Sequence, residues 1–354
     1  MKNIGRLMEC INDEKTCALV TDDINRRFFT GFRSSAGTLL CFREKAYLII
    51  DFRYFEKASE VVDGAEVILE GSLTQQMKEL FIKHGVTRIL TESETMTVSR
   101  LHSLEKELCD FCVDSSDELS CIINKLRITK SPAEIKKISD AQRIAESAFE
   151  YVLDNIKRGM TEREVALILD DRMRRLGAED ISFDTIVLNG KNTSLPHGVP
   201  GSRKIEDGFV LMDFGAVVDG YHSDMTRTFY IGTPSDEEKR AYDTVLEAQL
   251  LALDSVRPGI TASELDSIAR KYIYDKGYEG AFGHSLGHGV GMEIHEKPFV
   301  SSRSTAVLEE GMIITIEPGI YIPGKFGIRI EDMVAITYDL YTNLTLSKKE
   351  LIVL

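Results

Sequence analysis

Four acidic residues stand in matching places around two tight-turn signals. Asp213 and Asp224 lie in apolar runs at 209–215 and 220–230, which flank Val217-Val218-Asp219-Gly220. Glu317 and Glu331 lie in runs at 312–317 and 327–336, which flank Pro323-Gly324. Asp-Gly between β-runs is a strong hairpin signal. Strand side chains alternate with period two, so the register decides which acids meet. A first turn centred between Val218 and Asp219 sets Asp213 opposite Asp224. A two-residue loop Asp219-Gly220 instead makes Asp224 face Gly215, with Asp213 its diagonal neighbour on the same face. In the second hairpin a turn centred on Gly324 sets Glu317 opposite Glu331. Paired Cβ atoms would be about 4.5–5.5 Å apart directly, or roughly 7–8 Å on the diagonal.

Any one of these acids is most simply a solvated strand residue, but four placed symmetrically point to a shared site. They are embedded in runs such as Val210-Leu211-Met212 and Ile313-Ile314-Thr315-Ile316. Carboxylates gathered in such surroundings cannot all stay ionised without compensating positive charge. One divalent cation, or two, would supply it. The glycine-rich stretch 282–296 carries His284, His288 and His295, three of the seven histidines in the chain, where backbone can approach a ligand closely. A mostly oxygen donor set with one imidazole suits Mn²⁺ first, then Co²⁺, Zn²⁺ or Fe²⁺. Two such ions about 3.5–4 Å apart can hold a hydroxide between them and polarise a scissile carbonyl.

The elements that must position these residues form an internal repeat. Gly159-Met160-Thr161-Glu162-Arg163-Glu164-Val165 recurs as Gly259-Ile260-Thr261-Ala262-Ser263-Glu264-Leu265, each copy with a Thr-x-x-Glu capping box between two helical stretches. Leu176-Gly177 matches Lys276-Gly277 at the end of the second helix, and each half then runs into a β-hairpin. The sequence therefore predicts two copies of helix, helix, hairpin. Ser131-Pro132-Ala133-Glu134 opens the first long helix with an N-cap serine, a proline in the first turn and a glutamate at N3. Upstream, apolar runs at 17–21, 37–42, 46–51 and 88–91 alternate with helical patterns such as 73–84, which reads as a small α/β domain. The expected boundaries are 1–125 and 126–354.

At 354 residues, with 43% hydrophobic and 28% charged residues, the chain has room for two cores and the balance of a globular protein. Its formal net charge of −14 opposes a phosphate backbone, so nucleic acid is not expected as a partner. No apolar run is long enough to span a bilayer, and residues 1–14 lack the apolar core of a signal peptide, so no membrane association and a cytoplasmic location are expected. All six cysteines fall within residues 10–121. Cys109-Asp110-Phe111-Cys112 is a lone C-x-x-C, which cannot complete a zinc site; free thiols in a reducing compartment are the plainer reading.

Taken together, these motifs resemble pita-bread-fold metallopeptidases of the proline-specific branch, similar to Xaa-Pro dipeptidases (prolidases) and Xaa-Pro aminopeptidases. The likeness spans nearly the whole chain. It includes Asn25-Arg26-Arg27-Phe28-Phe29-Thr30-Gly31-Phe32 and Asp51-Phe52-Arg53-Tyr54 of a creatinase-like N-terminal domain. It continues through Leu195-Pro196-His197-Gly198, Met212-Asp213-Phe214-Gly215, Ser223-Asp224-Met225-Thr226-Arg227-Thr228, His284 to Glu296, Glu317-Pro318-Gly319 and Arg329-Ile330-Glu331-Asp332. Asp207-Gly208 departs from the Gly-Asp that the family commonly has there. The resemblance implies an α/β N-terminal domain followed by an α+β pita-bread catalytic domain with a pseudo-two-fold repeat. It implies two divalent cations, bridged by Asp224 and Glu331, with Asp213 completing one shell and His288 with Glu317 the other. Glu317 would also be the general base and acid. His197 and His295 would bind the substrate backbone and stabilise the tetrahedral intermediate, His284 would shape the site for proline, and Arg329 would hold a ligand carboxylate. A homodimer is implied as well.

The function expected is hydrolysis of the bond between an N-terminal residue and a following proline. Removal of N-terminal methionine uses the same fold, but the additional N-terminal domain argues against it. A creatinase-like amidino hydrolase would not keep the metal ligands. A non-catalytic pita-bread binding module would have lost them.

Overall fold

The structure is a computed structural model that describes residues 3–354. Residues 1 and 2, the start of the N-terminal run considered above, lie outside the described residues. The chain divides into two compact units, Met1–Arg127 and Ile128–Leu354.

In the first unit a six-stranded mixed sheet runs in the order Glu66–Leu69, Ala46–Ile50, Thr38–Cys41, Thr16–Val20, Arg88–Thr91, Cys112–Asp114. The central strands are buried on both faces, which is why they read as unbroken apolar runs. Helix Leu73–Lys83 buries Met77, Leu80 and Phe81 against Leu40, Tyr47 and Ile49. Cys17 and Cys41 are buried and Cys109 and Cys112 exposed.

The second unit contains the repeat. Helices Pro132–Asn155 and Glu162–Arg175 form one pair, Asp236–Ser255 and Ala262–Asp275 the other. All four begin with a complete capping box: Ser131 with Glu134, Thr161 with Glu164, Ser235 with Glu238 and Thr261 with Glu264. Gly177 and Gly277 follow the second helix of each pair with φ of 105° and 90°, the left-handed conformation that ends a helix and that glycine adopts at least cost. Each helix pair is backed by its own apolar core. One is built around Ala145, Ala148, Phe149, Phe214 and Phe229, the other around Ala248, Leu265, Ile314, Ile316 and Val334.

Both hairpins form in a single register with an interruption. In the first, Met225–Ile231 pairs with Gly208–Phe214, so that Thr226 faces Asp213, and Val217 pairs with His222 beyond the break. Extended across the gap, this register sets Asp224 opposite Gly215, the arrangement of the Asp219-Gly220 loop. Asp219 and Gly220 have φ of 50° and 81°, as a two-residue hairpin turn of this twist requires. In the second hairpin Ile316 pairs with Asp332 and Gly319 with Arg329, which brings Glu317 opposite Glu331 about the turn at Gly324. The ladders lapse at Gly215 and Ser223-Asp224 in one half and at Glu317-Pro318 and Ile330-Glu331 in the other.

The halves are sewn together along Met225–Ile231. Thr226 accepts through its carbonyl from the Glu331 amide (3.1 Å), and Thr228 Oγ1 both donates to the Arg329 carbonyl (2.9 Å) and accepts from the Arg329 amide (3.2 Å). On the opposite face Asp332 is fully buried with Arg227 (2.8 Å) and Lys349 (2.8 Å). Residues 345–354 close this face: Arg227 donates to the carbonyls of Ser347 and Lys348, the Tyr230 amide donates to the Ile352 carbonyl, and the Leu354 amide donates to the Tyr230 carbonyl. Among the described residues no helix is long and apolar enough to cross a membrane.

Burial alone would raise the Asp332 carboxyl, but Arg227 and then Lys349 outweigh it and hold the group below its usual value. Its contribution to stability is therefore complete above the ordinary carboxylate range and lost as pH falls through the lowered native value. Asp332→Ala leaves the Arg227 charge buried without its carboxylate and is expected to cost about 3–5 kcal/mol in urea unfolding at pH 7. The gap between wild type and variant should narrow as the pH drops below about 4; a gap that stays constant would remove Asp332 as its cause.

Candidate metal centre

The five residues expected as ligands converge in the second unit. Asp224, His288 and Glu331 each offer a ligand atom within 4.8 Å of the other two. His288 Nε2 lies 3.4 Å from Asp224 Oδ2 and 3.5 Å from Glu317 Oε1. Two donors to one cation sit within roughly twice a bond length of about 2.0–2.2 Å, and the two His288 distances satisfy that. The side chains of Asp224 and Glu331 are almost wholly buried, and those of Asp213, His288 and Glu317 keep 12–16% exposure on the pocket wall.

Electrostatics marks the cluster as short of positive charge. Desolvation, followed by repulsion from Asp213 and Glu317, pushes the Asp224 carboxyl well above the usual range. Glu331 is pushed up in the same way, by desolvation and then by Asp224, Glu317 and Asp213. Glu317 is also raised by burial, although His288 and Arg329 pull against it. Asp213 spends Oδ2 on Arg329 Nη2 at 2.6 Å, while its Oδ1 is buried with no hydrogen-bond partner. An orphaned buried carboxylate oxygen costs stability unless something positive completes it. This donor set, hard oxygens with one imidazole, fits a divalent cation.

The surrounding hydrogen bonds fix the ligands. His288 Nδ1 lies 3.0 Å from the Gly289 carbonyl, which makes it the N–H nitrogen and leaves the Nε2 lone pair aimed into the cluster. Thr315 Oγ1 donates to Glu317 Oε1 (3.1 Å) and accepts from the His288 amide (3.0 Å), so one hydroxyl sets two ligands. Thr226 Oγ1 donates to Glu331 Oε2 (2.7 Å) and accepts from Arg329 Nε (2.9 Å). Arg329 is buried and also donates to Tyr321 Oη (2.8 Å) and the Pro196 carbonyl (3.3 Å).

A cavity of about 300 Å³ opens over the cluster. His197, His284 and His295 all line it, and its apolar wall is Phe183, Ile186, Ile294 and Phe299. The His295 ring meets His288 edge-on with centroids 4.4 Å apart. Desolvation and then His288 lower its pKa, which favours the neutral ring. Desolvation, with Arg329 behind it, drives His284 down to about 3, so this ring is neutral at physiological pH. Its Nδ1 lies 2.8 Å from the Ser285 carbonyl and its Nε2 2.9 Å from Tyr321 Oη, so both nitrogens are engaged by the protein.

Sequence reasoning passed over Thr226, Thr315 and Tyr321, and over the apolar wall. A signal existed for the threonines: Thr315 is two residues before Glu317, on the same strand face, and the Asp219-Gly220 register pairs Thr226 with Asp213. Tyr321 and Phe183 carry no such signal.

The chain is similar to known proteins over nearly all of its length. Residues 136–338 match the model of Metallopeptidase family M24, and residues 7–129 match that of the Creatinase/Prolidase N-terminal domain. An uncharacterized peptidase of Bacillus subtilis, YqhT, is 44% identical over 338 residues, 95% of each chain. Among solved structures, an Xaa-Pro dipeptidase from Bacillus anthracis superposes with a TM-score of 0.94 at 41% identity, covering 99% of both chains. An X-Pro aminopeptidase from Thermotoga maritima gives a TM-score of 0.90 at 37% identity over 96% of this chain and 97% of that one.

Carboxyls displaced upward keep their protons to higher pH than free ones, and a binding cation must expel whatever protons they hold. Titration with Mn²⁺ near pH 6.5 should therefore release protons, seen calorimetrically as a binding enthalpy that differs between buffers of different ionisation heat. Glu331→Gln should weaken binding by at least roughly 10–100-fold, the loss that even an outer-shell partner causes. A buffer-independent enthalpy would show that these carboxyls are already ionised.

Proposed function

The chain belongs to metallopeptidase family M24, with a creatinase/prolidase N-terminal domain, and from that premise we propose that it hydrolyses the amide bond between an N-terminal residue and a following proline at a centre of two divalent cations. The observation that carries this reading is the convergence of Asp213, Asp224, His288, Glu317 and Glu331 on the floor of a cavity walled by three histidines and apolar side chains. The relatives of known structure named as acting on Xaa-Pro bonds support the substrate class.

In this reading Asp224 and Glu331 would hold both cations, joined by Asp213 for one and by His288 and Glu317 for the other. When bound, the cations supply Lewis acidity that polarises the scissile carbonyl and lowers the pKa of water. Glu317, its Oε1 held by Thr315, accepts a proton from the attacking water as the new C–O bond forms. The C–N bond then breaks, and Glu317 returns the proton to the departing proline nitrogen. His197 and His295 hold the substrate backbone and face the developing oxyanion. His284 has both nitrogens occupied, so it acts by shape, presenting its ring to the cavity. Arg329 acts through Asp213. Proline makes the scissile bond a tertiary amide with no N–H, so the cavity needs no acceptor there, and the apolar wall suits its ring.

Manganese is the native metal on this reading, from the oxygen-rich donors. The buried thiols of Cys17 and Cys41 suit a reducing, cytoplasmic setting, and a homodimer is the assembly that the family resemblance implies.

Chelator-stripped protein should lose at least about 100-fold in turnover of Xaa-Pro substrates and regain it with Mn²⁺. Xaa-Pro dipeptides, Xaa-Pro-Xaa peptides and Xaa-Ala controls should be assayed side by side. Cleavage of Xaa-Ala as fast as Xaa-Pro would refute the substrate class, and undiminished turnover at verified zero metal would refute the centre. Glu317→Gln, assayed at saturating Mn²⁺, should lower kcat by about 10²–10⁴ with a smaller change in KM.

A further inference from the structure

We infer that Lys130 and Glu296 form a buried clamp that sets His295 beside the ligand cluster, which makes Lys130 a positioning residue; this rests on the proposed contact of His295 with substrate. Between the strands Gly287–Gly289 and Glu296–Val300 the chain folds through a short glycine-bearing turn that ends at His295. His295, the last residue of the turn, lines the cavity, while Glu296, the first residue of the strand that follows, is buried. The Glu296 carboxylate then holds the turn from beneath. Its Oε1 accepts from the Glu293 amide (3.1 Å), its Oε2 accepts from Lys130 Nζ (3.0 Å), and it lies against Gly291 so closely that a Cβ there would have no room. From the other side the His222 amide donates to the Gly291 carbonyl (2.8 Å).

Lys130 is itself rigidly mounted. Its amide donates to the Gly311 carbonyl (2.8 Å), and the next residue, Ser131, caps helix Pro132–Asn155. That helix packs Ala145, Ala148 and Phe149 against Met212, Phe214 and Phe229 of the strands around Asp213 and Asp224. Glu134, in its first turn, also accepts from Tyr221 Oη (2.6 Å), next to His222. One helix thus braces the acidic hairpin and, through Lys130, the turn that presents His295.

The side chains of Lys130 and Glu296 are 2% and 7% exposed. Desolvating two charges costs about as much as their attraction returns, and apolar residues of the same size would stabilise the fold as well or better. What an ion pair adds is a fixed direction: Lys130 holds one carboxylate oxygen while the Glu293 amide holds the other, and the backbone between Glu293 and Glu296 is pinned. A catalytic group displaced by about 1 Å can lose on the order of 100-fold in rate, so such pinning has a kinetic consequence.

The test is a double-mutant cycle in the full-length, Mn²⁺-loaded protein, with metal content measured for each variant. Lys130→Met should lower kcat/KM on an Xaa-Pro peptide by about 10–100-fold at unchanged metal stoichiometry, and Lys130→Arg should recover most of it. In the His295→Ala background the same Lys130→Met change should cost less than about twofold, because its effect passes through a ring already removed. Independently of activity, hydrogen exchange should quicken at residues 290–296 in Lys130→Met and stay unchanged at 208–214. Equal losses in both backgrounds, or unaltered exchange in the turn, would overturn the inference. Full activity of His295→Ala alone would instead overturn the substrate role given to His295, leaving exchange to decide the clamp. Glu296→Gln, which keeps the size of the side chain, is subject to the same expectations should Lys130→Met not fold.

Discussion

Negative charge crowded into a dry space is the constraint around which the catalytic unit is arranged. Four carboxylates share the floor of the cavity with a single guanidinium, that of Arg329. Burial raises the cost of ionising each carboxylate and a neighbouring one adds to it, so Asp224, Glu317 and Glu331 are displaced upward, first by desolvation and then by the charge of neighbouring carboxylates. The protein answers with directional groups, not with further cations of its own. Thr226 and Thr315 each serve two residues of the cluster, and Arg329 is held by Tyr321, Thr226 and the Pro196 carbonyl. Such a framework keeps the acids in place at a charge imbalance that divalent metal can complete.

Each half of the repeat contributes a pair of acids, and in each the β-ladder lapses beside or at those acids. A regular ladder would spend every backbone group on its partner strand. At these gaps the backbone is free to bond across the pseudo-two-fold instead, as the Glu331 amide does with the Thr226 carbonyl. Gly215 and Gly287 permit the close approach, since a side chain at either would run into the backbone of Ser223 or Thr315. The centre is thus a product of the seam between two similar hairpins, each of which alone carries only part of the ligand set.

Much of this was legible in the sequence because it is governed by local rules. Capping boxes at Ser131, Thr161 and Thr261 announced their helices, and the second hairpin followed from its turn at Gly324. The first hairpin left two registers open. Its choice depended on whether Asp219 would accept a positive φ, a question of backbone energy that composition alone does not answer. What could not be read was non-local. Tyr321 reaches His284 and Arg329 through folding, and Lys130 meets Glu296 across 166 positions of sequence. Neither carries a period or a motif, and both follow from how helices and strands pack after the pattern has done its part.

The closing strip of chain behind the acidic strands has a consequence for handling the molecule. Ser347, Lys348 and Lys349 supply partners to Arg227, Asp332 and Tyr242, and Ile352 and Leu354 extend the backbone pairing of Tyr230. Residues 345–354 therefore act as a rear wall. A stop after Leu344 would strip hydrogen-bond partners from the reverse side of the strands that carry Thr226, Arg227 and Asp332, and with them the backing of the acidic cluster.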